Sequence, residues 1–345
     1  MTAPIDRRSV VAALAATTLL PALPARAEPP SSLVDAARKE ATVTWYSGLI
    51  VNQVVRPVVE GFERKYKGIK VQAAHIPSPE AVLKILNEAR AGKPQASVFD
   101  GTAVVHHLVA ANVVEPYAPQ AAANYPPAAR DPANHWTALN TYIMTPAINT
   151  ELVPEAEAPK TLQDLLDPKW KDAISTSPVT TGGTSWVQYA FMKMEMPAGY
   201  LAKLAAQQPK MFSGYAAVGQ SVARGETSIG ILDSLDDYPL RVGQSAPIKT
   251  IYPTEGIPFV NYPMMQIAAA QHPKAAELFG NWYLSKQGQS ELVRVRGVYS
   301  FRKDVDAAAG NPPLAGLKLW NPGHDAVLRE HDALGTEVLG IMGRR

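Results

Sequence analysis

The chain has 345 residues, 46% of them hydrophobic and 19% charged, with 30 prolines, 23 glycines and no cysteine. That length suits two ordinary domains, and the composition is that of a globular chain rich in turns. Lys and Arg number 33 against 31 Asp and Glu, so there is no basic excess to grip nucleic acid or anionic lipid, no disulfide framework, and no segment with the ~20 apolar residues of a membrane span.

Residues 1–27 read as a segment apart. A charged start ends in Arg7 and Arg8, an apolar stretch runs from Val10 to about Leu23, and Ala25-Arg26-Ala27 is a small-x-small site. This is the pattern of a signal peptide cut between Ala27 and Glu28, which predicts a periplasmic protein. The paired arginines fit twin-arginine export, and a Sec signal needs positive charge there too. Cleavage removes Asp6, Arg7, Arg8 and Arg26 and leaves a mature chain of formal charge zero.

In the mature part, Ser31 or Ser32 is set to cap a short helix, and Thr42–Tyr46 has the β-branched and aromatic residues of a strand. Val51, Val54, Val55, Val58, Phe62 and Tyr66 mark one helix face, with Pro57 as a kink or a true first turn. Ile69–Ile76 predicts a second strand, Ser78-Pro79 a helix start, and SVFDGT a third strand. Strand and helix alternate at the spacing of βαβ units and a parallel sheet. A Pro- and Ala-rich connector (116–134) leads to a long extended segment near 138–148. TLQDLLDPKWKDAIST predicts a short helix and a strand, TSIGILDS a buried strand, and 258–268 a second long extended segment. QHPKAAELFGNWYLSKQGQSELVRVRG is helical, with a proline at its start. A chain that crosses twice between two α/β lobes would use extended segments like these.

The stretch TSPVTTGGTSW (176–186) sets two glycines among hydroxyl residues just before a helical pattern. One reading is that Thr180–Ser185 merely cap that helix. The other is that open backbone N–H groups and the helix dipole hold an anion. No P-loop spacing is present. Asp233, Asp236 and Asp237 cluster after the TSIGILDS strand, either as solvated carboxylates or as partners for an ammonium group. His106-His107 and the methionines of MKMEM lack chelating geometry, and no metal or other cofactor is expected.

Together VTWYSG, SVFDGT, WTALNTYIMTPAINT, GQSVARGETSIGILDS and HPKAAELFGNWYLSKQGQ resemble, in order and spacing over residues 31–303, the type II periplasmic solute-binding proteins of ABC importers. The resemblance is to the ferric-ion-binding branch, whose relatives take thiamine and phosphonates. It implies an α/β two-lobed periplasmic-binding-protein-like fold, each lobe a mainly parallel sheet flanked by helices. Residues 31–141 and 263–303 would form one lobe and 142–262 the other, with 304–345 as C-terminal helices on the second. It also implies a monomeric receptor that closes on a small-molecule ligand and docks on a membrane permease. The implied cleft residues are Tyr46, Ser47 and Gly48 in the first loop, Gly101 and Thr102 after the third strand, and Tyr142. Thr181, Gly182, Gly183, Thr184 and Ser185 would form the anion loop, Asp233, Ser234 and Asp236 the deep loop, with Tyr262 nearby. Ferric members use adjacent tyrosines after the deep strand; here those positions read SLDD, with Leu235 and Asp236. A histidine is replaced by Ile50 and an acid by Thr102. The expected cargo is therefore an organic or phosphonate-like anion or zwitterion. The alternatives are ferric iron held by other ligands, with Asp237 and Tyr238 as candidates, or an exported enzyme, for which no G-x-S-x-G or H-E-x-x-H motif is found.

Overall fold

The computed structural model describes residues 28–49, 51–101 and 105–343; the signal-peptide segment, Ile50 and Thr102 lie outside them. Helix α1 (Ser31–Glu40) turns Leu33 and Ala37 inward. Strand β1 (Thr42–Ser47) follows, then a π-helical turn (Val51–Val55) that runs into α2 (Arg56–Lys65). Pro57 is the second residue of α2, at its junction with the π-helical turn, as a kink or first-turn proline would be. Strand β2 (Lys70–His75), α3 (Ser78–Arg90), β3 (Val98–Asp100), α4 (Val105–Ala110) and β4 (Val114–Glu115) complete the first run. β1 pairs in parallel with both β2 and β3, as the βαβ spacing predicts. Two helix starts differ from expectation by one residue. Pro30 and Pro77 take the N-cap positions, so Ser31 and Ser78 are the first helical residues.

Two 3₁₀ turns, Gln120–Asn124 and Pro127–Ala129, carry the connector to β5 (Thr137–Asn149), which is buried along its whole length. The short helix expected before β6 (Ile174–Thr176) is instead a pair of 3₁₀ turns, Gln163–Leu166 and Pro168–Trp170. Pro168 lacks the N–H that a continuous helix would need. Next come α5 (Gly183–Met194), α6 (Tyr200–Ala206), β7 (Lys210–Met211), α7 (Tyr215–Ala223), β8 (Ile229–Asp233), α8 (Ser234–Tyr238) and β9 (Ile248–Thr250). Strand β10 (Ile257–Ile267) leads to α9 (Pro273–Tyr283) and α10 (Lys286–Arg296), then β11 (Leu319–Trp320) and α11 (His324–Met342). The helical stretch before Gly297 is broken at Ser285, whose hydroxyl accepts from the Gly288 N–H at 3.2 Å and caps the second helix.

The main strand order is β2-β1-β3-β10-β5-β8-β6-β7. β5 and β10 run antiparallel side by side, with a register shift between Tyr262 and Pro263. One end of β10 pairs with β3 and β4, and the far end of β5 pairs with β8 and β9. Each long strand thus belongs to both halves of the molecule. The apolar core divides accordingly. One cluster gathers Trp45, Phe62, Phe279, Trp282 and Tyr283; another gathers Ile148, Trp186, Phe191, Val218 and Ile231. Helix α11 packs on α5 and α6 and adds Leu334 and Val338 to the second cluster.

Candidate ligand cleft

A cavity of about 230 Å³ lies where the two halves face each other. Gly48, Leu49, Val54, Ser78, Tyr262 and Arg296 line one wall; Gly182, Gly183, Thr184 and Asp233 line the other, with Tyr142 from the crossing strand β5 and with Leu235, which packs back on the first apolar cluster.

The second wall is built on the front of α5. Gly182 is its N-cap in an extended conformation, and no side chain caps the helix. The hydroxyl residues around it do other work. Ser185 is fully buried and its hydroxyl pairs with that of Ser177 at 2.8 Å, while Thr181 faces solvent outside the cavity lining. The capping reading of this stretch therefore fails, and the first N–H groups of α5 open on the cavity with the positive end of the helix dipole behind them.

Asp233 ends β8 and caps α8, accepting from the Asp236 N–H at 3.0 Å. Burial lifts its carboxyl well above the usual range, and the neighbouring Asp236 charge adds to this, while Arg296 pulls the other way. Asp236, half-buried, is raised by burial and lowered by Arg296. Ser234 is buried and accepts the Ile143 N–H, tying the deep loop to β5. Asp237 turns away from the cavity; Thr250 donates to it and Arg241 lies 3.8 Å off. Burial pushes its carboxyl up to about 6.

On the first wall, β1 alternates faces. Trp45 and Ser47 both donate to the fully buried Asp100, at 2.6 and 2.7 Å. The Ser47 hydroxyl also accepts from the Leu49 N–H at 3.0 Å, which sets the loop carrying Gly48. A side chain at Gly48 would run into the Tyr262 hydroxyl, and one at Gly101 into Ser78 and Phe99. Both glycines are therefore required by close approach. Tyr46, expected in the cleft, points to the opposite face. Its ring joins the cluster with Ile85 and Phe99, and its hydroxyl donates to Glu88 at 2.8 Å. One residue of alternation puts it there. Tyr142 and Tyr262 do meet in the cavity, with ring centroids 5.6 Å apart.

Two buried charges escaped the sequence reading. Asp100 is raised to about 7, by burial against the hydrogen bonds from Ser47, Trp45 and Gly48. Arg296 is 3% exposed and reaches the cavity from the end of α10. Burial lowers its proton affinity, and Asp236 and Asp233 restore part of it. A signal for Arg296 was present: Gln289, Leu292, Val293 and Arg296 form the buried stripe of α10. An arginine on such a stripe needs an anionic partner.

A mixed sheet in two halves, two shared strands and a cleft between opposed walls define a two-lobed solute-binding protein of the type II periplasmic class. More particularly, the chain belongs to the bacterial extracellular solute-binding proteins, whose family model matches residues 94–328. These are the substrate-binding components of ABC importers. An uncharacterized protein of Haemophilus influenzae is 28% identical over 61% of this chain, which spans 64% of that relative. The Fe(3+)-binding periplasmic protein of Serratia marcescens is 26% identical over 77% of this chain and 80% of its own length. Among solved structures, iron-bound HitA from Pseudomonas aeruginosa superposes with a TM-score of 0.72 at 19% identity, over 86% of this chain and 99% of its own. AfuA from Actinobacillus pleuropneumoniae with fructose-6-phosphate bound gives 0.70 at 23%, over 87% and 98%. At these identities the two structures speak for the fold.

Proposed function

We propose that this protein is a periplasmic receptor that captures a small organic anion or zwitterion in the inter-lobe cleft and delivers it to a membrane permease. The observation that carries this is the pairing of an uncapped helix front, Gly182-Gly183-Thr184, with the buried Arg296 on the opposite wall of the same cavity. Amide N–H groups and a guanidinium both donate hydrogen bonds to anions, and a phosphonate or phosphate group would accept from both. Asp233, in the lining of the same cavity, would pair with an ammonium group on the same solute. The Tyr142 and Tyr262 rings suit its carbon skeleton. The periplasmic location rests on the signal-like residues 1–27 and on the Serratia relative.

The relatives named for iron make a ferric cargo the reading to test against. Tyr238, the tyrosine nearest the deep loop, packs against Gly297 instead of lining the cavity, and Asp237 is engaged by Thr250 and Arg241. A guanidinium in the cavity also repels a trivalent cation. Thermal melting of the mature chain against inorganic phosphate, 2-aminoethylphosphonate, fructose-6-phosphate and ferric citrate separates the classes. Stabilisation by 2-aminoethylphosphonate above that by phosphate supports a zwitterion. Stabilisation by ferric citrate alone, with a visible charge-transfer colour, would overturn the reading.

A further inference from the structure

Asn140 lies on β5 two residues before Tyr142 and directly opposite Tyr262 across the β5–β10 ladder. Residues i and i+2 of a strand share a face, and so do directly opposed residues of an antiparallel pair. Asn140 therefore shares a sheet face with Tyr142 and Tyr262, which line the cavity, and lies behind that lining rather than in it. It is 0% exposed, and among the described residues neither its amide nitrogen nor its amide oxygen has a hydrogen-bond partner. A leucine would fill the same space without leaving two polar groups unsatisfied. The register shift beside it, between Tyr262 and Pro263, opens the ladder at this point. The Tyr283 hydroxyl, also buried and unpartnered, belongs to the same apolar cluster as Tyr142 and Tyr262. A buried site with several unsatisfied donors and acceptors is where a protein holds water.

We propose that Asn140 anchors an ordered water in the floor of the cleft, beneath the Tyr142–Tyr262 pair, and through that water contacts the bound solute. The water bridge gives the cleft a polar floor that selects solutes carrying a hydrogen-bonding group at their buried end. The solute contact rests on the reading of this cavity as the solute site; the water does not.

Two measurements on the mature chain test this. The first is a ligand-free crystal structure of the wild type at atomic resolution. Density for a water within hydrogen-bond distance of both Asn140 amide atoms is expected, and a dry amide overturns the proposal. The second is calorimetry with 2-aminoethylphosphonate on the wild type and on Asn140→Leu. A loss of tenfold or more in affinity is expected, with the variant still melting cooperatively. Equal affinity of the two proteins overturns the solute contact. A wild type that takes up none of this probe sinks the anion-or-zwitterion reading instead, and the crystal then decides the water site alone.

Discussion

Arg296, in the cavity lining, and Asp100, under the loop that carries Gly48, are both buried ionisable residues. A guanidinium at 3% exposure is held in place only if anions surround it. Asp233 and Asp236 supply part of that field, and an anionic solute would supply more. Replacing Arg296 by Gln should weaken binding of an anionic probe by about 10- to 100-fold, the size of a charged hydrogen bond lost, read by calorimetry. Unchanged affinity would move the anion to α5 alone. Asp100 makes a pH prediction. Its carboxyl goes from an ordinary 3.8 to about 7 in the folded chain. Between these values the folded state holds a proton that the unfolded state has lost, so stability falls as pH rises from about 4 to 7 and is flat above. Each unit in that window is worth ~1.4 kcal/mol. In Asp100→Asn this slope should be missing, so the gap between variant and wild type should shift in the variant's favour up to neutral pH. Parallel curves from urea melts at pH 4.5, 6 and 7.5 would show that Asp100 does not titrate there.

At the scale of elements, the end of α10 makes a close joint with α8 beside the cleft. Gly297 follows Arg296 with φ +66°, and a Cβ there would fall 2.0 Å from the Tyr238 ring. Left-handed backbone and a ring clash act together, so Gly297→Ala should cost about 2–4 kcal/mol in urea unfolding. It should also disturb ligand affinity, because it moves the neighbour of Arg296. A neutral result would mean the Tyr238 ring is free to shift. Most elements were legible in the chain. β1, β2, β5, β8, β10, α5 and the helical run up to Gly297 appear where periodicity and turn residues put them. The misses are local competitions. Pro168 turned a short helix into 3₁₀ turns, and Ser78 gave up the cap to enter α3 and turn its side chain toward the cavity.

At the scale of the whole molecule, β5 and β10 pair side by side between the walls that carry Arg296 and α5. A solute gripped from both walls should draw the lobes together. Small-angle scattering should then show a smaller radius of gyration with a saturating ligand, and none of that change in Arg296→Gln. At 100 times its dissociation constant, a true ligand adds about 2.7 kcal/mol of stability. A stabilised protein of unchanged radius would mean binding without closure.

The sequence by itself determined the α/β class, the two long crossing strands and the glycine loop before α5. Each is written within a few neighbouring residues, as a period, a proline or a glycine. Only the tertiary structure decided which side chains share the cleft. It brought Asp233 and Arg296, 63 positions apart in the chain, to one cavity, and sent Tyr46 to the far face of its sheet. Those placements depend on strand register and on packing between distant segments, which no local pattern of residues encodes.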